Sequence, residues 1–524
     1  MLYNSFFMED TKGQKIVYRY LLEIVVFICG AVVMIFELIG SRLIGPYVGA
    51  SIYVWTSLIG VILASLSLGY YLGGRLADKN PQELFLGVVI ILAAFFICLT
   101  AIFRDVGLFF SSGSLGLEIK SIILSIILFT PASFFLGMVS PYAVRLRINN
   151  LKTIGKEVGN LYALSTAGSI FGTFLAGFWL IPKFGSKDSL SLIALVLIIT
   201  AILVFRKKIF KNLPVIIMLL IVVLSLFFSY FSKPKFHNLL SADIDTKYDR
   251  VWVYKGVDYA TGKPTVNLST DPFGIQASVF SDQTDDLVLD YTKFFRLIGY
   301  FNPETKNALM IGGCTYTYPR DFMKNFPQAH MDIVEIDPAM TEIAQKYFYF
   351  KNSPFFTIFN QDGRMFLNEN KKKYDAIIND AFDSAPSVPF QLTTVEAVQK
   401  EFNALNDNGV VLSNIVSAVN GRQGEFFRAE YATYKKIFPQ VFVFLVSNRA
   451  NPMELQNIML VASKSEKDFD FKTTDEKLTG YLSHLWKEPI AMDLPILTDD
   501  FAPVEDYQGK LLKSITSLDW NHYF

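Results

Sequence analysis

The sequence predicts two kinds of fold in one chain, an N-terminal α-helical transmembrane bundle and an α/β Rossmann-like domain that follows a small β-rich region. Hydrophobic residues make up 52% of the 524 residues and charged residues 18%, and the apolar excess lies before residue 236. Strand-like and helix-like patterns alternate after that point, which is typical of a sheet covered by helices. We therefore expect a transmembrane domain over 1–236, a β-rich region over 237–300 and a Rossmann-like domain over 301–524.

The transmembrane prediction depends on the length of the apolar stretches. A helix needs about 20 apolar residues to cross roughly 30 Å of hydrocarbon. Seven stretches before residue 236 have about that length, so we expect about seven helices that place this half in a lipid bilayer. They are residues 21–43, 52–74, 82–103, 121–143, 158–182, 188–205 and 214–232.

The second half reads as strands joined by helices. A β-rich start with strands at 251–254 and 276–280 is followed by a helix over 285–300. The later strands are expected at 308–311, 331–336, 355–359, 374–379 and 410–415, and Pro319 and Pro338 fit first helical turns. This order predicts a doubly wound parallel sheet, whose ligands bind beyond the carboxyl ends of the strands.

Glycines and carboxylates follow the strands at those ends. Gly312 and Gly313 leave space for a ligand next to the backbone. Glu335 lies 22 residues after Gly313, close to the spacing at which an acidic residue binds ribose hydroxyls. Asp362 is placed to accept a hydrogen bond from an adenine amine. The later glycines that grip a pyrophosphate are missing, so the pattern predicts a nucleoside cofactor without phosphates.

These residues resemble the spermidine synthases, or polyamine aminopropyltransferases, in the subfamily that carries an N-terminal multi-span domain. The resemblance covers about residues 245–463. In chain order the similar segments are 246–248 (Thr-Lys-Tyr), 274–276 (Gly-Ile-Gln), 290–291 (Asp-Tyr), 311–313 (Ile-Gly-Gly), 334–337 (Val-Glu-Ile-Asp), 362–363 (Asp-Gly) and 380–383 (Asp-Ala-Phe-Asp).

The resemblance implies a methyltransferase-type fold and transfer of an aminopropyl group from decarboxylated S-adenosylmethionine to putrescine, which gives spermidine and methylthioadenosine. An amine must lose its proton to attack, so a base is required at the attack position. We expect Asp380 as that base, with Tyr291 and Asp383 orienting the amines. The resemblance also implies a homodimer and no permanently bound cofactor. Its donor-binding residues are Gln276, Gly312, Gly313, Thr315, Glu335, Asp337, Asp362, Gly363 and Asp249.

Three positions depart from the family pattern. Thr315 stands where the family has an Asp that holds the aminopropyl ammonium, and Thr292 stands where it has a His. Asp249 replaces a Gln, and we hypothesise that its carboxylate takes over part of the neutralisation of the ammonium. Because of Thr315, other chemistry of S-adenosylmethionine, such as methyl transfer or cleavage, stays an alternative. Asn414 matches a polar Gln at the polyamine end of the family's site.

Charge patterns bear on partners and on membrane side. The formal net charge is zero, which gives no indication of nucleic-acid binding, and the four His and three Cys show no metal-ligand spacing. With the N-terminus in the cytoplasm, inside segments hold 13 Lys and Arg and outside segments hold six. Seven crossings then place the second half outside, whereas the supply of an adenosyl donor favours the cytoplasm. Glu37 and Arg42, in or near the first span, keep a transporter or sensor with a non-catalytic domain as a further alternative.

Overall fold

The computed structural model describes most of the chain. The described residues are 12–49, 52–107, 116–148, 153–205, 212–231, 240–272, 274–284, 286–381, 388–448 and 450–515. They divide into two compact units with a boundary between residues 235 and 236.

The first unit consists of helices. They are α1 (Lys12–Val48), α2 (Ile52–Lys79), α3 (Glu83–Ile102), α4 (Leu117–Arg147), α5 (Ile154–Leu175), α6 (Ile181–Phe205) and α7 (Leu213–Phe231). A short 3-10 turn at Arg104–Gly107 follows α3, and a π-helical segment, Ala176–Leu180, joins α5 to α6.

Within the described residues of this unit, five helices are long and apolar enough to cross a membrane. The last of them, Ile154–Phe205, has 52 residues, or about 80 Å at 1.5 Å per residue, more than twice the thickness of a bilayer core. Its axis is interrupted at Gly185, where φ is 69°, a backbone conformation that favours glycine. The predicted spans 158–182 and 188–205 lie on either side of this kink, and the count of seven crossings stays a prediction.

The helices of the first unit pack closely through small residues. Cβ atoms added to Gly168 and Gly172 of α5 would lie 2.0 Å and 2.3 Å from the carbonyl oxygens of Phe27 and Ala31 in α1. Residue numbers rise together along this contact, so α1 and α5 run parallel. At one end of the unit the buried Arg147 of α4 lies 2.7 Å from Glu23 and 2.5 Å from Glu157. The start of α1, the end of α4 and the start of α5 therefore meet, as expected for helices that alternate in direction.

The second unit begins with a four-stranded antiparallel sheet. Its strands are β1 (Leu240–Asp245), β2 (Arg250–Val257), β3 (Pro264–Ser269) and β4 (Ala277–Phe280), paired in sequence order. The predicted helix over 285–300 differs from the structure, because the chain becomes helical only at Asp290. It forms α8 (Asp290–Phe294), a 3-10 turn (Phe295–Leu297) and α9 (Ile298–Phe301).

A seven-stranded sheet forms the centre of this unit. Its strands are β5 (Asn307–Ile311), β6 (His330–Val334), β7 (Phe356–Phe359), β8 (Tyr374–Asn379), β9 (Leu405–Ser417), β10 (Gln440–Leu445) and β11 (Gln456–Ser463). The order is β10-β11-β9-β8-β5-β6-β7. Helices α10 (Thr317–Asn325), α11 (Pro338–Tyr347), α12 (Gly363–Glu369), α13 (Val395–Ala404), α14 (Glu425–Ile437), α15 (Glu476–Leu482) and α16 (Val504–Ile515) complete the domain.

The expectation of an all-parallel sheet is wrong for one strand. β5 to β9 pair in parallel, but β11 is antiparallel to both β9 and β10. The segment between β10 and β11 contains no helix among its described residues, and a short connection without a crossover requires antiparallel neighbours. The resulting α/β domain is of the methyltransferase-like kind that the sequence predicts.

Both faces of the large sheet are buried. One face packs Leu309, Ile377 and Val411 against α13 and α14, and the other packs Met310, Ile378 and Leu412 against α8 and α10. Alternate residues of each strand thus enter opposite cores, as the two-residue period of a strand requires. A sheet buried on both faces leaves its strand ends as the accessible place for ligands.

Candidate active site

The strand order reverses between β5 and β8, and the polar residues predicted from the sequence meet there. Asp380 directly follows β8, and its backbone N–H donates to the carbonyl of Ile311 at 2.9 Å. A Cβ added to Gly312 would lie 2.3 Å from the carbonyl oxygen of Asp380. Glycine is therefore required at 312 for the two strand ends to approach each other, and its φ of 90° adds to that requirement.

The loop after β5 turns its amides toward Glu335. Gly312, Cys314 and Tyr316 all have positive φ, which coils residues 312–316 tightly. The N–H groups of Gly313 and Cys314 then donate to Oε2 of Glu335, at 3.0 Å and 2.8 Å. The other oxygen of Glu335 accepts from the N–H of Asp337 at 2.9 Å. Glu335 thus ties together the loops after β5 and β6, both of which line the cavity described below.

Two further carboxylates begin helices. Asp337 is the N-cap of α11 and accepts from Ala339, while Asp362 is the N-cap of α12 and accepts from Met365 at 2.9 Å. Capping satisfies backbone donors that a helix leaves free. Each cap occupies one carboxylate oxygen, and Oδ2 of Asp337 is buried without a hydrogen-bond partner among the described residues.

A cavity of about 690 Å³ opens at this edge of the sheet. Carboxyl groups dominate its charge, and no Lys, Arg or His side chain lines it in the described part of the chain. The acidic lining residues are Asp249, Asp271, Asp290, Glu335, Asp337, Asp362 and Asp380. A site lined by one sign of charge attracts the opposite sign, so this cavity favours a cationic ligand.

Asp380 is held from two sides. The hydroxyl of Tyr291 donates to its Oδ2 at 3.3 Å, and the amide of Asn414 donates to its Oδ1 at 3.2 Å. Burial raises the pKa of Asp380 to about 7, although both hydrogen bonds act to lower it. Desolvation and the nearby Asp380 raise the pKa of Tyr291 well above its ordinary value. The hydroxyl of Tyr291 therefore stays protonated near neutrality, whereas the carboxyl group of Asp380 changes its charge there.

Glu335 has a similarly shifted pKa. Burial raises it to about 7, against the lowering effect of the N–H groups of Asp337, Cys314 and Gly313. Its hydrogen bonds all come from the backbone, which suits a carboxylate that organises loops. Oε2 already accepts two of these bonds and Oε1 accepts one, so the second lone pair of Oε1 is the acceptor available to a hydroxyl group of a ligand.

The structure brings most of the predicted site residues to the cavity. The predicted residues that line it are Gly312, Glu335, Asp337, Asp362, Gly363, Gln276, Asp249, Tyr291 and Asp380. Gly313 and Thr315 do not appear in that lining. A Cβ added to Gly313 would lie 2.6 Å from the ring of Tyr316, so this glycine serves loop packing. Asp383 lies outside the described residues.

The position of Thr315 bears directly on the departure from the family pattern. Its side chain is 1% exposed, and its hydroxyl has no hydrogen-bond partner among the described residues. The carboxylate expected at this position is thus absent from the cavity wall. Asp249, the proposed substitute, does line the cavity.

Several lining residues were missed from the sequence. Asp271 follows β3 in a Thr-Asp-Pro segment that reads as an ordinary turn, and Tyr254 lies within the strand pattern of β2. Gln456 and Asn457 are the first residues of β11. Two consecutive amide side chains before an apolar run were the signal that could have identified them as site residues. Gln508 lies on α16, beyond the region of resemblance. All five line the cavity.

No group of three or more His, Cys, Asp or Glu side chains is arranged to hold a metal ion within the described ranges. The site is therefore a carboxylate and amide site as far as those residues define it.

Residues 295–476 match a family model described as the spermine/spermidine synthase domain. A polyamine aminopropyltransferase of Vibrio vulnificus is 27% identical over 215 residues, which cover 39% of this chain and 70% of that protein. A probable polyamine aminopropyl transferase of Bifidobacterium longum is 30% identical over 220 residues, 38% of this chain and 48% of that protein. The chain thus spans about half the length of this second relative.

One relative is similar over both halves. Polyamine aminopropyltransferase 2 of Aquifex aeolicus is 22% identical over 418 residues, which cover 75% of this chain and 78% of that protein. Among solved structures, a probable spermidine synthase from Corynebacterium glutamicum aligns with 20% identity and a TM-score of 0.39, covering 46% of this chain and 85% of that one.

Proposed function

We propose that this chain transfers an aminopropyl group from decarboxylated S-adenosylmethionine to putrescine, and the match of residues 295–476 to the spermine/spermidine synthase domain supports the proposal. The observation that carries the proposal is Asp380, a carboxylate with a pKa of about 7 in an acidic cavity at the switch point of the sheet. Spermidine and methylthioadenosine are the products that this reaction yields.

The charge of the cavity supports cationic substrates. Putrescine carries two ammonium groups near neutrality, and the donor carries an ammonium and a sulfonium. Carboxylates on several elements of the cavity wall attract such molecules before any bond changes. Two of them, Asp249 and Asp271, come from the region preceding the large sheet, which also contributes Tyr254 to the lining. We assign Asp249 to the donor ammonium in place of the residue missing at Thr315.

The nucleoside end fits the loops after β5, β6 and β7. Gly312 leaves backbone space at the first loop, Oε1 of Glu335 offers its remaining lone pair to a ribose hydroxyl, and Asp362 with Gly363 borders the adenine side. None of the described residues that line the cavity is basic, so the wall offers no cationic side chain to a phosphate. This agrees with a nucleoside donor that carries a sulfonium and no pyrophosphate.

The chemical step is a displacement at carbon. The neutral amine of putrescine forms a C–N bond with the methylene carbon beside the sulfonium, and the C–S bond breaks with its electron pair leaving on sulfur. Methylthioadenosine departs as a neutral thioether. The proton lost by the attacking nitrogen passes to a carboxylate oxygen of Asp380, while Tyr291 and Asn414 hold the carboxyl group in place.

The raised pKa of Asp380 reduces the cost of this proton transfer. Alkyl ammonium groups have a pKa near 10.4 and an ordinary Asp near 3.9, so the transfer is uphill by about 9 kcal/mol at 1.36 kcal/mol per unit. With Asp380 at about 7, the difference falls to roughly 4 to 5 kcal/mol. The carboxylate must be ionised to act, so activity rises as the pH increases through about 7.

We also propose that the first unit anchors the enzyme in a lipid bilayer. Five helices have the necessary length and apolar character, and many large apolar side chains on them are exposed, including Phe178 at 80%. Such exposure is costly in water and favourable in lipid. The similarity to the Aquifex aeolicus protein runs over 75% of this chain, which supports a helical half that accompanies the catalytic one.

The Asp380→Asn variant tests the role of the base. It keeps the size and one hydrogen-bond acceptor but cannot take the proton, so we expect formation of spermidine to fall by about 10²- to 10⁴-fold. Asp286→Asn is the matched control, because Asp286 is exposed and lies outside the cavity lining; its rate should stay within a few-fold of the wild type. If the Asp380→Asn enzyme formed spermidine at the wild-type rate, Asp380 would not be the base.

A further inference from the structure

Two asparagines extend from Asp380 into the sheet. Asn414 lies on β9 and donates through Nδ2 to Oδ1 of Asp380 at 3.2 Å. Asn457 lies on β11 and donates through Nδ2 to Oδ1 of Asn414 at 2.9 Å. Asn414 and Asn457, here called the amide pair, both line the cavity. Hydrogen bonds thus run in one direction, from Asn457 through Asn414 to the carboxylate.

The strand register explains how the amide pair forms. In the antiparallel pairing of β9 with β11, Met459 is opposite Asn414, and Asn457 is opposite Val416. Asn457 and Asn414 are therefore diagonal neighbours on one face of the sheet, a separation that long side chains can bridge. The neighbouring Gln456 accepts from the backbone of Ser447 and Asn448 at 3.1 Å and 2.9 Å, which fixes the start of β11.

The orientation of Asn414 has two choices with very different consequences for Asp380. The terminal torsion of an Asn side chain is broad and roughly two-fold, so the torsion alone does not select which end faces the carboxylate. A reversed amide would turn its oxygen toward Oδ1 of Asp380 and its N–H groups toward those of Asn457. Both contacts would then be repulsive, because Asn457 presents a donor and Asp380 an acceptor.

We propose that Asn457 is a positioning residue that fixes the amide of Asn414 with its N–H toward Asp380, and so keeps the base oriented and ionisable. The inference rests on the proposed function, in which Asp380 takes the proton of the amine. Asn457 acts through Asn414 and is not required to touch the reacting atoms. Together with Tyr291 on the opposite oxygen, the amide pair gives each carboxylate oxygen one fixed donor.

On the side of the sheet, the amide pair provides the polar contact to Asp380. Among the described residues that exchange hydrogen bonds with its side chain, Tyr291 comes from α8 and Asn414 from β9. The thiol of Cys314, from the loop after β5, interacts electrostatically with Tyr291. Loss of the Asn414 donor would raise the pKa of Asp380, since that hydrogen bond acts to lower it.

The Asn457→Leu variant tests the inference, because it removes the donor without adding charge. We expect kcat/KM for putrescine to fall about five- to tenfold, the effect of one net hydrogen bond, with the acid limb of its pH profile moved to higher pH. Asn457→Gln keeps the amide and should recover part of the loss. Exposed Asn368→Ala, outside the cavity lining, should change neither quantity.

A double-mutant cycle separates positioning from general damage. In an Asn414→Ala background, Asn457→Leu should reduce kcat/KM by less than about twofold, because the residue through which it acts is gone. If Asn457→Leu reduced kcat/KM equally in both backgrounds, the role of Asn457 would be overturned while the aminopropyl transfer stood. An active Asn457→Leu enzyme whose pH profile kept its acid limb in place would have the same consequence. Absence of product from the wild type would instead overturn the proposed function.

A thermal readout tests the same residue without turnover. A carboxyl group whose pKa is raised on folding loses stabilising free energy as the pH rises through its folded pKa. Asn457→Leu raises that pKa further, so its melting temperature should drop more than that of the wild type between pH 6 and pH 8.5. The extra drop should vanish in an Asp380→Asn background, and its persistence there would contradict the inference.

Discussion

At the scale of single residues, the site is organised around one carboxylate. Burial opposes the ionisation of this group, and hydrogen bonds favour it. Asp380 has a pKa of about 7 because burial outweighs the donors Tyr291 and Asn414. Glu335 also has a pKa near 7, and its carboxylate accepts hydrogen bonds from backbone N–H groups. These two carboxyl groups of one cavity thus have different surroundings, side-chain donors for Asp380 and backbone N–H groups for Glu335, which agrees with the proposal that Asp380 takes the proton.

Thr315 aligns with the position of a donor-binding Asp in the family pattern, but its side chain does not line the cavity. We expect Thr315→Asp to leave the KM of the donor unimproved, because this side chain is 1% exposed and does not line the cavity. A buried unpaired carboxylate should instead destabilise the domain by about 1 to 3 kcal/mol, measured by denaturant or thermal unfolding.

The neighbouring Thr317 provides the matched control for that variant. Thr317 is the first residue of α10 and is half-buried, and an acidic residue is favourable in a first helical turn. Thr317→Asp should therefore be neutral or slightly stabilising. A Thr315→Asp protein of normal stability with a lower donor KM would show that position 315 faces the donor after all.

Much of the candidate site was predictable residue by residue, for reasons that lie in the backbone. Gly312, Glu335 and Asp380 directly follow strands, and Asp362 comes three residues after β7; parallel strands carry such residues to one edge. Asn457 was not predictable in this way. Its link to Asn414 depends on the antiparallel register of β11, a pairing between segments more than forty positions apart, which local patterns do not encode.

At the scale of elements, α13 and α14 carry two buried carboxyl groups into the core beside the site. Glu401 is 0% exposed and Glu430 2% exposed. The hydroxyl of Tyr434 donates to Glu401 at 2.9 Å, and Asn379, adjacent to Asp380, donates to it at 3.3 Å. Burial raises the pKa of Glu401 to about 8, despite the lowering effect of Tyr434.

Glu430 should make the stability of this helix pair depend on pH. Burial, and then the nearby Glu401, raise its pKa well above the ordinary value. A raised carboxyl pKa contributes stability at low pH that is lost as the pH rises above the unfolded value of about 4.3. Glu430→Gln should raise the melting temperature of the solubilised full chain by a few degrees at pH 8.5 and change it little at pH 5.

Glu342→Gln on α11 serves as the control for this helix-pair prediction, since Glu342 is exposed. It should leave both melting temperatures near those of the wild type. If Glu430→Gln destabilised the protein equally at pH 5 and pH 8.5, the effect of this side chain on stability would not come from its charge.

At the scale of the whole molecule, the chain combines a helical unit and a catalytic unit whose patterns differ at the level of composition. The boundary predicted at residue 236 depended on the change from apolar stretches to alternating strands and helices, and the compact units divide between residues 235 and 236. The number of crossings was harder to predict, because hydropathy cannot distinguish one 52-residue helix from two spans that meet at a kink. The expected homodimer stays a prediction.

Product analysis measures directly whether this chain makes spermidine from putrescine. The purified protein in detergent is incubated with putrescine and decarboxylated S-adenosylmethionine, and the products are separated and weighed by mass spectrometry. We predict spermidine and methylthioadenosine in equal amounts, with none formed when either substrate is omitted. Transfer of a methyl group, or cleavage of the donor without a new C–N bond, would contradict the account.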